Sequence, residues 1–213
     1  MRLRKVKNLE QRMERFRGGL LLEPKPLVFA DIFGNQQPVV AEFGTGRGEF
    51  ILMMARRQPE LNFLGVERVD SVLIQAMEKV EGETNLRYLR ANVEDLDDVI
   101  QESSLSGLYL NFSDPWPKKK NRKRRLTHRG YLERNDRWLQ EHSMVQLKTD
   151  SKTLFAFSIE EISQTGHMLE DVTLDIAQSP AYEDNIQTEY EERFTAEGHP
   201  IYALRYHSKK VKL

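Results

Sequence analysis

Residues 38–57, PVVAEFGTGRGEFILMMARR, combine a strand, a turn and a helix in one short stretch. The run that ends at Phe43 is apolar and β-branched, which is typical of a buried strand. Glycine then recurs at every second position, in Gly44, Gly46 and Gly48. Glycine allows a tight turn and the close approach of a ligand to the backbone. The residues that follow suit a helix, so this stretch predicts the first βα unit of an α/β fold.

Strand-like and helical stretches alternate along the rest of the chain at the spacing of βαβ units. The predicted strands cover residues 38–43, 61–67, 86–90, 107–112, 144–147, 167–176 and 200–207. The predicted helices cover residues 26–33, 49–57, 70–80, 93–100, 128–139, 152–162 and 188–197. This alternation predicts one α/β domain with a mostly parallel, seven-stranded sheet and helices on both faces. Residues 118–125 and 178–187 are expected to be long exposed loops.

The near-neutral charge of the chain hides two oppositely charged segments. The formal net charge is −1, yet residues 1–17 carry seven basic and two acidic side chains, and residues 159–197 carry eleven acidic and one basic. We therefore predict a basic N-terminal arm over residues 1–25 and one domain over residues 26–213. The arm suits a weak amphipathic helix that docks on phosphates or, equally, a solvated terminus. Such segregation allows local binding of a polyanion.

Several classes of site and location are excluded or disfavoured by composition. The chain has no cysteine, which excludes disulfides, thiolate metal sites and cysteine nucleophiles. Its five histidines lack metal-ligand spacing, so no metal is expected. No apolar run approaches the ~18 residues that a membrane span needs, and no signal-peptide core follows the basic N-terminus. We expect a cytoplasmic protein without membrane association, and the sequence leaves monomer and homodimer open.

The glycine turn differs from a dinucleotide-binding fingerprint. It reads G-x-G-x-G instead of G-x-G-x-x-G, and Glu42 lies two residues before the first glycine. An acid at this place suits a cation, such as the sulfonium cofactor S-adenosylmethionine with its amino-acid tail. Glu67, at the end of the second strand, has the spacing of an acid that holds ribose hydroxyls. Asn92 or the nearby Glu94 would accept a hydrogen bond from the adenine amino group. Each residue alone also fits a turn or a helix cap.

The fourth predicted strand leads into residues 108–125, LYLNFSDPWPKKKNRKRR. Asp114 follows the strand, Trp116 comes two residues later, and seven of the eight residues from 118 to 125 are Lys or Arg. An acid, a rigid aromatic turn and a cationic run predict an active-site edge that faces a polyanion. The alternatives are a turn aspartate before proline, a tryptophan packed under the loop and a solvated basic loop.

Four motifs, in this order, resemble those of the bacterial tRNA guanine-N7 methyltransferases of the TrmB type. They are EFGTGRG from Glu42, NFSDPWPK from Asn111, KTD from Lys148 and TEYE from Thr188. Many methyltransferases share the glycine motif, whereas SDPWPK followed by basic residues is much more specific. The resemblance covers nearly the whole chain. It implies a Rossmann-like class I methyltransferase fold with an antiparallel last strand, S-adenosylmethionine as methyl donor and a variable-loop guanine of tRNA as target.

The resemblance also implies roles for individual residues. The implied cofactor contacts are Glu42, Gly44, Gly46, Glu67, Asn92 and Asp114, and Asp114 is also the implied catalytic residue. The implied substrate contacts are Lys118, Asp150, Thr188, Glu189, Tyr190 and Glu191. The implied RNA-contacting segment is Lys120, Asn121, Arg122, Lys123, Arg124 and Arg125. Asn92 departs from the family, which often has Asp there. The TEYE motif equally fits a capping box, in which Thr188 caps a helix and Glu191 folds back to its first amide.

Guanine N7 has a lone pair and no proton, so its methylation needs no general base. We therefore predict that Asp114 orients the guanine and stabilises the positive charge that develops on it. Two other functions stay open, namely methylation of an exocyclic base amine and RNA binding by an inactive methyltransferase fold. Trp116, in place of a proline of the Asn/Asp-Pro-Pro-aromatic motif, counts against the first. The intact glycine turn with Glu42, Glu67 and Asp114 counts against the second.

Overall fold

The computed structural model describes residues 6–209, which form two compact units, one up to Gln101 and one from Glu102 onward. Each unit contains four of the strands found in the described residues. Residues 1–5 of the predicted basic arm and residues 210–213 of the predicted domain lie outside the described residues. Within residues 6–209, no helix is both long enough and apolar enough to cross a membrane.

The first unit is a parallel four-stranded arrangement with helices. Its strands are β1 (Leu21–Leu22), β2 (Val39–Phe43), β3 (Asn62–Glu67) and β4 (Leu86–Arg90), and its helices are α1 (Leu9–Glu14), α2 (Phe29–Phe33), α3 (Glu49–Arg57) and α4 (Asp70–Met77). The strands are ordered β1-β4-β3-β2 and all pair in parallel. Every residue of β2 and all but the last residue of β3 are buried. This continuous burial explains why these strands read as apolar runs instead of alternating patterns.

Helix α1 packs against α4 at the start of the described chain. Met13 is only 1% exposed and anchors the apolar side of α1. On its polar side, Arg12 Nε donates a hydrogen bond to Glu78 Oε1 at 2.8 Å. The amphipathic helix predicted for this segment is therefore confirmed over Leu9–Glu14.

The second unit contains the antiparallel strand. Its strands are β5 (Leu105–Asn111), β6 (Leu139–Thr149), β7 (Leu169–Thr173) and β8 (Tyr202–His207), and its helices are α5 (Arg129–Trp138), α6 (Lys152–Gln164) and α7 (Glu189–Ala196). The strands are ordered β5-β6-β8-β7. β5 and β6 pair in parallel, whereas β8 is antiparallel to both β6 and β7. The predicted antiparallel last strand is therefore confirmed.

The structure differs from the sequence-based expectation at several elements. Residues 6–209 contain eight strands where seven were predicted, because Leu21–Leu22 pairs with β4 through a two-residue ladder too short to leave a pattern. Residues 93–100 contain only the 3-10 turn Val93–Asp95 instead of a helix. The loop at 178–187 is not fully exposed, since Tyr182 is buried and donates its hydroxyl proton to the Asp171 carbonyl at 3.0 Å.

Candidate functional site

The carboxyl ends of β2, β3 and β4 lie side by side in the first unit. Phe43 is in register with Val66, and Glu67 is in register with Arg90. Polar residues that follow these strands therefore emerge at the same edge, which is where open α/β sheets bind ligands. The predicted cofactor residues of this unit lie at this edge.

The three glycines after β2 adopt left-handed backbone conformations, with φ of +77° at Gly44, +57° at Gly46 and +72° at Gly48. At Gly48 a Cβ atom would lie 2.5 Å from Tyr88 Oη and 2.6 Å from Ala76 Cβ, so packing also demands glycine. At Gly44 a Cβ atom would meet nothing within 4 Å. Gly48 thus closes the turn onto the protein, whereas Gly44 borders open space that a ligand can occupy.

Glu42 lies under this turn. Its side chain is buried, and its Oε2 accepts a hydrogen bond from Thr45 Oγ1 at 2.6 Å. Tyr88 packs nearby, and burial together with the charge of Glu42 raises the pKa of its hydroxyl. The phenol therefore stays neutral, and the Glu42 carboxyl group is held in place at the turn by Thr45.

Glu67 accepts hydrogen bonds from the glycine turn after β2 and from the residues that follow β3. Its Oε2 accepts from the Gly46 N–H at 3.1 Å, and its Oε1 accepts from the N–H groups of Arg68 and Val69, both at 2.9 Å. A carboxylate has about four acceptor positions, so these bonds leave one for a ribose hydroxyl. Asp70 is the first residue of α4, and its Oδ1 pairs with Arg90 Nε at 2.7 Å.

Asn92 is half-buried two residues after β4, and Glu94 beside it is exposed. Asn92 Nδ2 donates to Glu94 Oε2 at 3.3 Å. The amide oxygen of Asn92 is the acceptor that this bond does not use. The pair thus presents an amide oxygen and a carboxylate at the β4 end, and either can accept from an amino group.

In the second unit, Asp114 lies in a turn between two strained residues. Phe112 and Trp116 have φ of 50° and 38°, a backbone region that residues other than glycine rarely adopt. Asp114 itself is exposed, and its carboxylate makes no hydrogen bond or ion pair within the described part of the chain. Because Asn111 in β5 is in register with Lys148 in β6, Asp114 and the exposed Asp150 follow neighbouring strand ends. Strain of this kind clusters at functional sites.

The basic segment forms a 3-10 helix over Lys119–Arg124. Its cationic side chains from Lys118 to Arg124 are exposed, whereas Asn121 is half-buried. The guanidinium carbon of Arg124 lies 3.8 Å from the centre of the Trp116 ring. One face of that ring is therefore covered by a cation, and Trp116 is half-buried. The segment therefore presents a row of exposed positive charges that is suited to binding anions.

Arg125 ends this row and is placed differently. It is only 5% exposed. Its Nε donates to the Pro115 carbonyl at 2.9 Å, and its Nη2 donates to the Trp116 carbonyl at 3.1 Å. Burial, followed by repulsion from Arg122, lowers the pKa of the guanidinium. The side chain of Arg125 thus points into the protein, whereas the other cationic side chains of the segment are exposed to solvent.

The TEYE motif begins α7 and is tied to β6 by a buried ion pair. Thr188 Oγ1 accepts from the Glu191 N–H at 3.0 Å, so the predicted cap is confirmed. Glu191 does not fold back to the first amide, as a capping box requires. Its Oε2 instead accepts from Lys148 Nζ at 2.7 Å. Lys148 also donates to Asn185 Oδ1 at 3.0 Å and to the Ile186 carbonyl at 2.9 Å.

Tyr190 lies on the outer side of α7 and is 55% exposed. Its ring stacks on Phe112 at a centroid distance of 5.8 Å, and Phe112 stacks in turn on Phe194 at 6.4 Å. Glu189, the residue before Tyr190, is exposed. We call Phe112, Tyr190 and Phe194 the aromatic shelf. The shelf places an exposed tyrosine face on the residue that lies two positions before Asp114.

The chain matches known proteins over most of its length. A family model described as "Putative methyltransferase" matches residues 36–204. A tRNA (guanine-N(7)-)-methyltransferase of Lachnoclostridium phytofermentans is 44% identical over 85% of this chain and 86% of that protein. The enzyme of the same name from Listeria monocytogenes is 39% identical over 96% of this chain and 97% of that protein. This chain belongs to the tRNA (guanine-N7)-methyltransferase family.

Solved structures similar to this family member show the same fold. A structure described as an antibiotic-related methyltransferase has a TM-score of 0.60 at 17% identity, and it covers 88% of this chain and 98% of that one. The 16S rRNA methyltransferase KamB has a TM-score of 0.59 at 16% identity and covers 98% of this chain and 96% of that one. The predicted α/β class I methyltransferase fold is therefore confirmed.

In this tRNA (guanine-N7)-methyltransferase family member, the predicted substrate and RNA contacts fall into an exposed and a buried group, apart from the half-buried Asn121. The exposed group contains Asp114, Lys118, Lys120, Arg122, Lys123, Arg124, Asp150, Glu189 and Tyr190. Arg125, Thr188 and Glu191 are buried and bind other parts of the protein. The pairing of Lys148 with Glu191 was not predicted from the sequence. A lysine near the end of the apolar strand VQLK was the available signal, because a buried lysine needs a charged partner.

Proposed function

We propose that this chain transfers a methyl group from S-adenosylmethionine to N7 of a variable-loop guanine in tRNA, and that Asp114 orients the guanine. The observation that carries the proposal is the exposed carboxylate of Asp114. It has no protein partner within residues 6–209 and is followed by a row of exposed cations. An exposed acid beside a cationic segment is open to a ligand that offers N–H donors, and guanine offers them on its N1 and N2 edge.

The residues of the first unit fit the cofactor. Open space borders Gly44, Glu42 provides a buried carboxyl group at the turn, and Glu67 keeps an acceptor position at the end of β3. Glu42 would hold the cationic part of the cofactor, Glu67 its ribose and Asn92 its adenine. When bound, S-adenosylmethionine supplies a methyl group on a positively charged sulfur. The family to which the chain belongs uses this donor, and its fold neighbours include S-adenosylmethionine-dependent methyltransferases.

Asp114 acts by position and charge in this proposal. Guanine N7 attacks with a lone pair, and no proton has to leave, so a general base has no task in the methyl transfer. A carboxylate that accepts from N1–H and N2–H fixes the direction in which N7 points. It also stabilises the positive charge that moves onto the purine, and one such group is typically worth about 2.7–4 kcal/mol.

The exposed row from Lys118 to Arg124 provides the contacts to RNA. It carries six cationic side chains and one amide. Such contacts neutralise phosphates and fix the register of the RNA without reading its sequence. The exposed ring of Tyr190 supports the same reading, since single bases that leave a stack are commonly held on aromatic side chains. Asp150, which is exposed after β6, is placed to accept from the base.

A single assay tests this function. The purified chain is incubated with labelled S-adenosylmethionine and unmodified tRNA, and the product is tested for chain cleavage at N7-methylguanosine. Label in tRNA together with cleavage at a variable-loop guanine supports the proposal. Label that resists this cleavage and is recovered on an exocyclic amine would replace it with the alternative methylation. Cofactor binding without any transfer would favour an RNA-binding protein with an inactive methyltransferase fold.

A further inference from the structure

Arg125 differs from the other cations of the basic segment by its burial. The six cationic residues from Lys118 to Arg124 are exposed, whereas Arg125 is only 5% exposed. A buried guanidinium needs its N–H groups satisfied, because an unpaired buried charge is costly. Its partners therefore indicate what it does.

The partners of Arg125 are the two carbonyls that follow Asp114. Nε donates to the Pro115 carbonyl and Nη2 donates to the Trp116 carbonyl. These bonds join the two ends of the segment 115–125 and close it into a loop. The planar guanidinium holds both carbonyls at once, a geometry that an ammonium group cannot reproduce with the same rigidity.

The far side of Arg125 rests on α6. Its guanidinium carbon lies 4.3 Å from the centre of the Phe157 ring. The residues after Arg125 are fixed to the same helix. Thr127 Oγ1 and Ser158 Oγ are 2.7 Å apart, and the Arg129 N–H donates to Glu161 Oε2 at 2.7 Å. Arg125 therefore connects the turn after Asp114 to a rigid helix.

The turn that Arg125 holds is strained. Trp116 has a φ of 38°, and Phe112 on the other side of Asp114 has a φ of 50°. Non-glycine residues keep such conformations only when the surrounding structure imposes them. The two hydrogen bonds that Arg125 donates to the carbonyls of Pro115 and Trp116 can impose the left-handed conformation at Trp116.

We propose that Arg125 is a positioning residue that holds the Pro115–Trp116 turn and thereby sets the place of the Asp114 carboxylate, and that it makes no contact with tRNA phosphates. This inference rests on the proposed function, because it assigns Arg125 to the placement of the acid that orients the guanine. It divides the basic segment into exposed residues that bind RNA and one buried residue that shapes the site.

The test compares Arg125→Met and Arg125→Lys with Arg122→Met in the full-length chain. The salt dependence of tRNA binding and the single-turnover rate of methyl transfer at saturating tRNA and cofactor are measured for each. Arg122→Met is expected to reduce the salt slope by about one, as the loss of one phosphate contact does. Arg125→Met is expected to keep the wild-type slope. Its saturated rate should fall by about 10²-fold, the size of effect that a 1 Å misplacement causes, and Arg125→Lys should lose less.

A double-mutant comparison shows whether Arg125 acts through Asp114. In an Asp114→Asn background, Arg125→Met is expected to cost little further rate, because the group that it positions is already impaired. Arg205→Met is the stability control, since Arg205 is a half-buried arginine that pairs with Asp171 in the same unit. It should lower the thermal midpoint without changing the saturated rate.

Three outcomes would overturn the inference. The first is a reduced salt slope with an unchanged saturated rate in the Arg125 variants. The second is multiplicative rate losses in the double mutant. The third is a rate loss in Arg205→Met equal to that in Arg125→Met. If Arg125→Met does not fold, the salt slope and the saturated rate are measured instead for Arg125→Lys and for Phe157→Leu, which removes the ring on which Arg125 rests. A wild-type chain that transfers no methyl to tRNA would refute the proposed function, whereas an active wild type with any of these outcomes refutes only the role of Arg125.

Discussion

Lys148 and Glu191 form an ion pair at 2.7 Å in which neither side chain has any exposed surface. The lysine belongs to β6, and the glutamate lies in the first turn of α7, so the pair fixes the start of that helix to the sheet. All three protons of the Lys148 ammonium have acceptors, and Asn185 Nδ2 donates to the second Glu191 oxygen. The pair therefore holds the base of the aromatic shelf beside Asp114.

Removing one partner of this pair should be severely destabilising. Lys148→Met is expected to lower the free energy of unfolding by about 3–5 kcal/mol, because Glu191 would remain buried without its counter-charge. Urea denaturation followed by circular dichroism measures this change. The double variant Lys148→Met/Glu191→Leu should recover most of the loss. A single variant as stable as the wild type would show that water reaches the pair.

Loss of the Asp114 charge should impair transfer and leave the cofactor bound. Asp114→Asn keeps the size of the side chain, and the single-turnover rate is expected to fall by about 10²–10³-fold, as it does when one stabilising group is removed. Calorimetry should give unchanged affinity for S-adenosylmethionine. Asp98→Asn, at an exposed acid of the first unit, is the control. A cofactor affinity that falls as much as the rate would make Asp114 a cofactor ligand instead.

Neutralising the exposed cations should flatten the salt dependence of tRNA binding. Replacement of Lys119, Lys120, Arg122 and Lys123 by glutamine is expected to reduce the slope by about one for each phosphate contact that is lost. Filter binding at several salt concentrations measures the slope. Arg57→Gln, an exposed cation at the end of α3, is the control. An unchanged slope in the fourfold variant would place the RNA contact elsewhere.

The glycines after β2 should respond differently to alanine. Gly48→Ala meets Tyr88 Oη and Ala76 Cβ at less than 3 Å, so it is expected to lower the thermal midpoint strongly. The methyl group of Gly44→Ala faces open space. This variant should therefore lose only about 1–2 kcal/mol of stability, which is the cost of a left-handed conformation at alanine. Its cofactor affinity should nevertheless fall, since the methyl group projects into the proposed ligand space. Equal losses of stability in the two variants would contradict the packing seen at Gly48.

The ion pair between His207 and Glu170 should make stability depend on pH. The hydrogen bond to Glu170 and a second one to the His142 carbonyl raise the pKa of His207 in the folded state. A raised pKa stabilises the fold below the unfolded value of about 6.5, and this contribution is lost as pH rises through the folded pKa. The wild type should therefore exceed Glu170→Gln in stability at pH 6, and the difference should vanish at pH 9. A pH-independent difference would attribute the effect to packing.

Local patterns allowed much of the first unit to be predicted. β4 was predicted with its observed ends, and α3 was predicted over Glu49–Arg57, because a strand with buried apolar residues and a helix after glycine each leave a strong local signal. The helix predicted at 93–100 was wrong, since its apolar residues are buried in irregular structure. The two-residue β1 left no pattern at all.

The features missed in the second unit depend on contacts between distant residues. Arg125 is identical in type to Arg124 and Arg122, and only its contact with Phe157, far along the chain, decides that it is buried. Lys148 and Glu191 are 43 positions apart, so no local motif joins them. The left-handed conformation of Trp116 likewise follows from its surroundings and not from its own preference.

The two hydrogen bonds from Arg125 to the Pro115 and Trp116 carbonyls have an evolutionary consequence. They fix the two ends of the segment 115–125 to each other. The residues between these ends form a cassette whose length and charge can vary while its ends stay in place. Insertions into closed surface loops cost little, because the entropy of closure rises only slowly with length. Changes of length or charge inside the cassette should therefore leave the acid that follows β5 in its position.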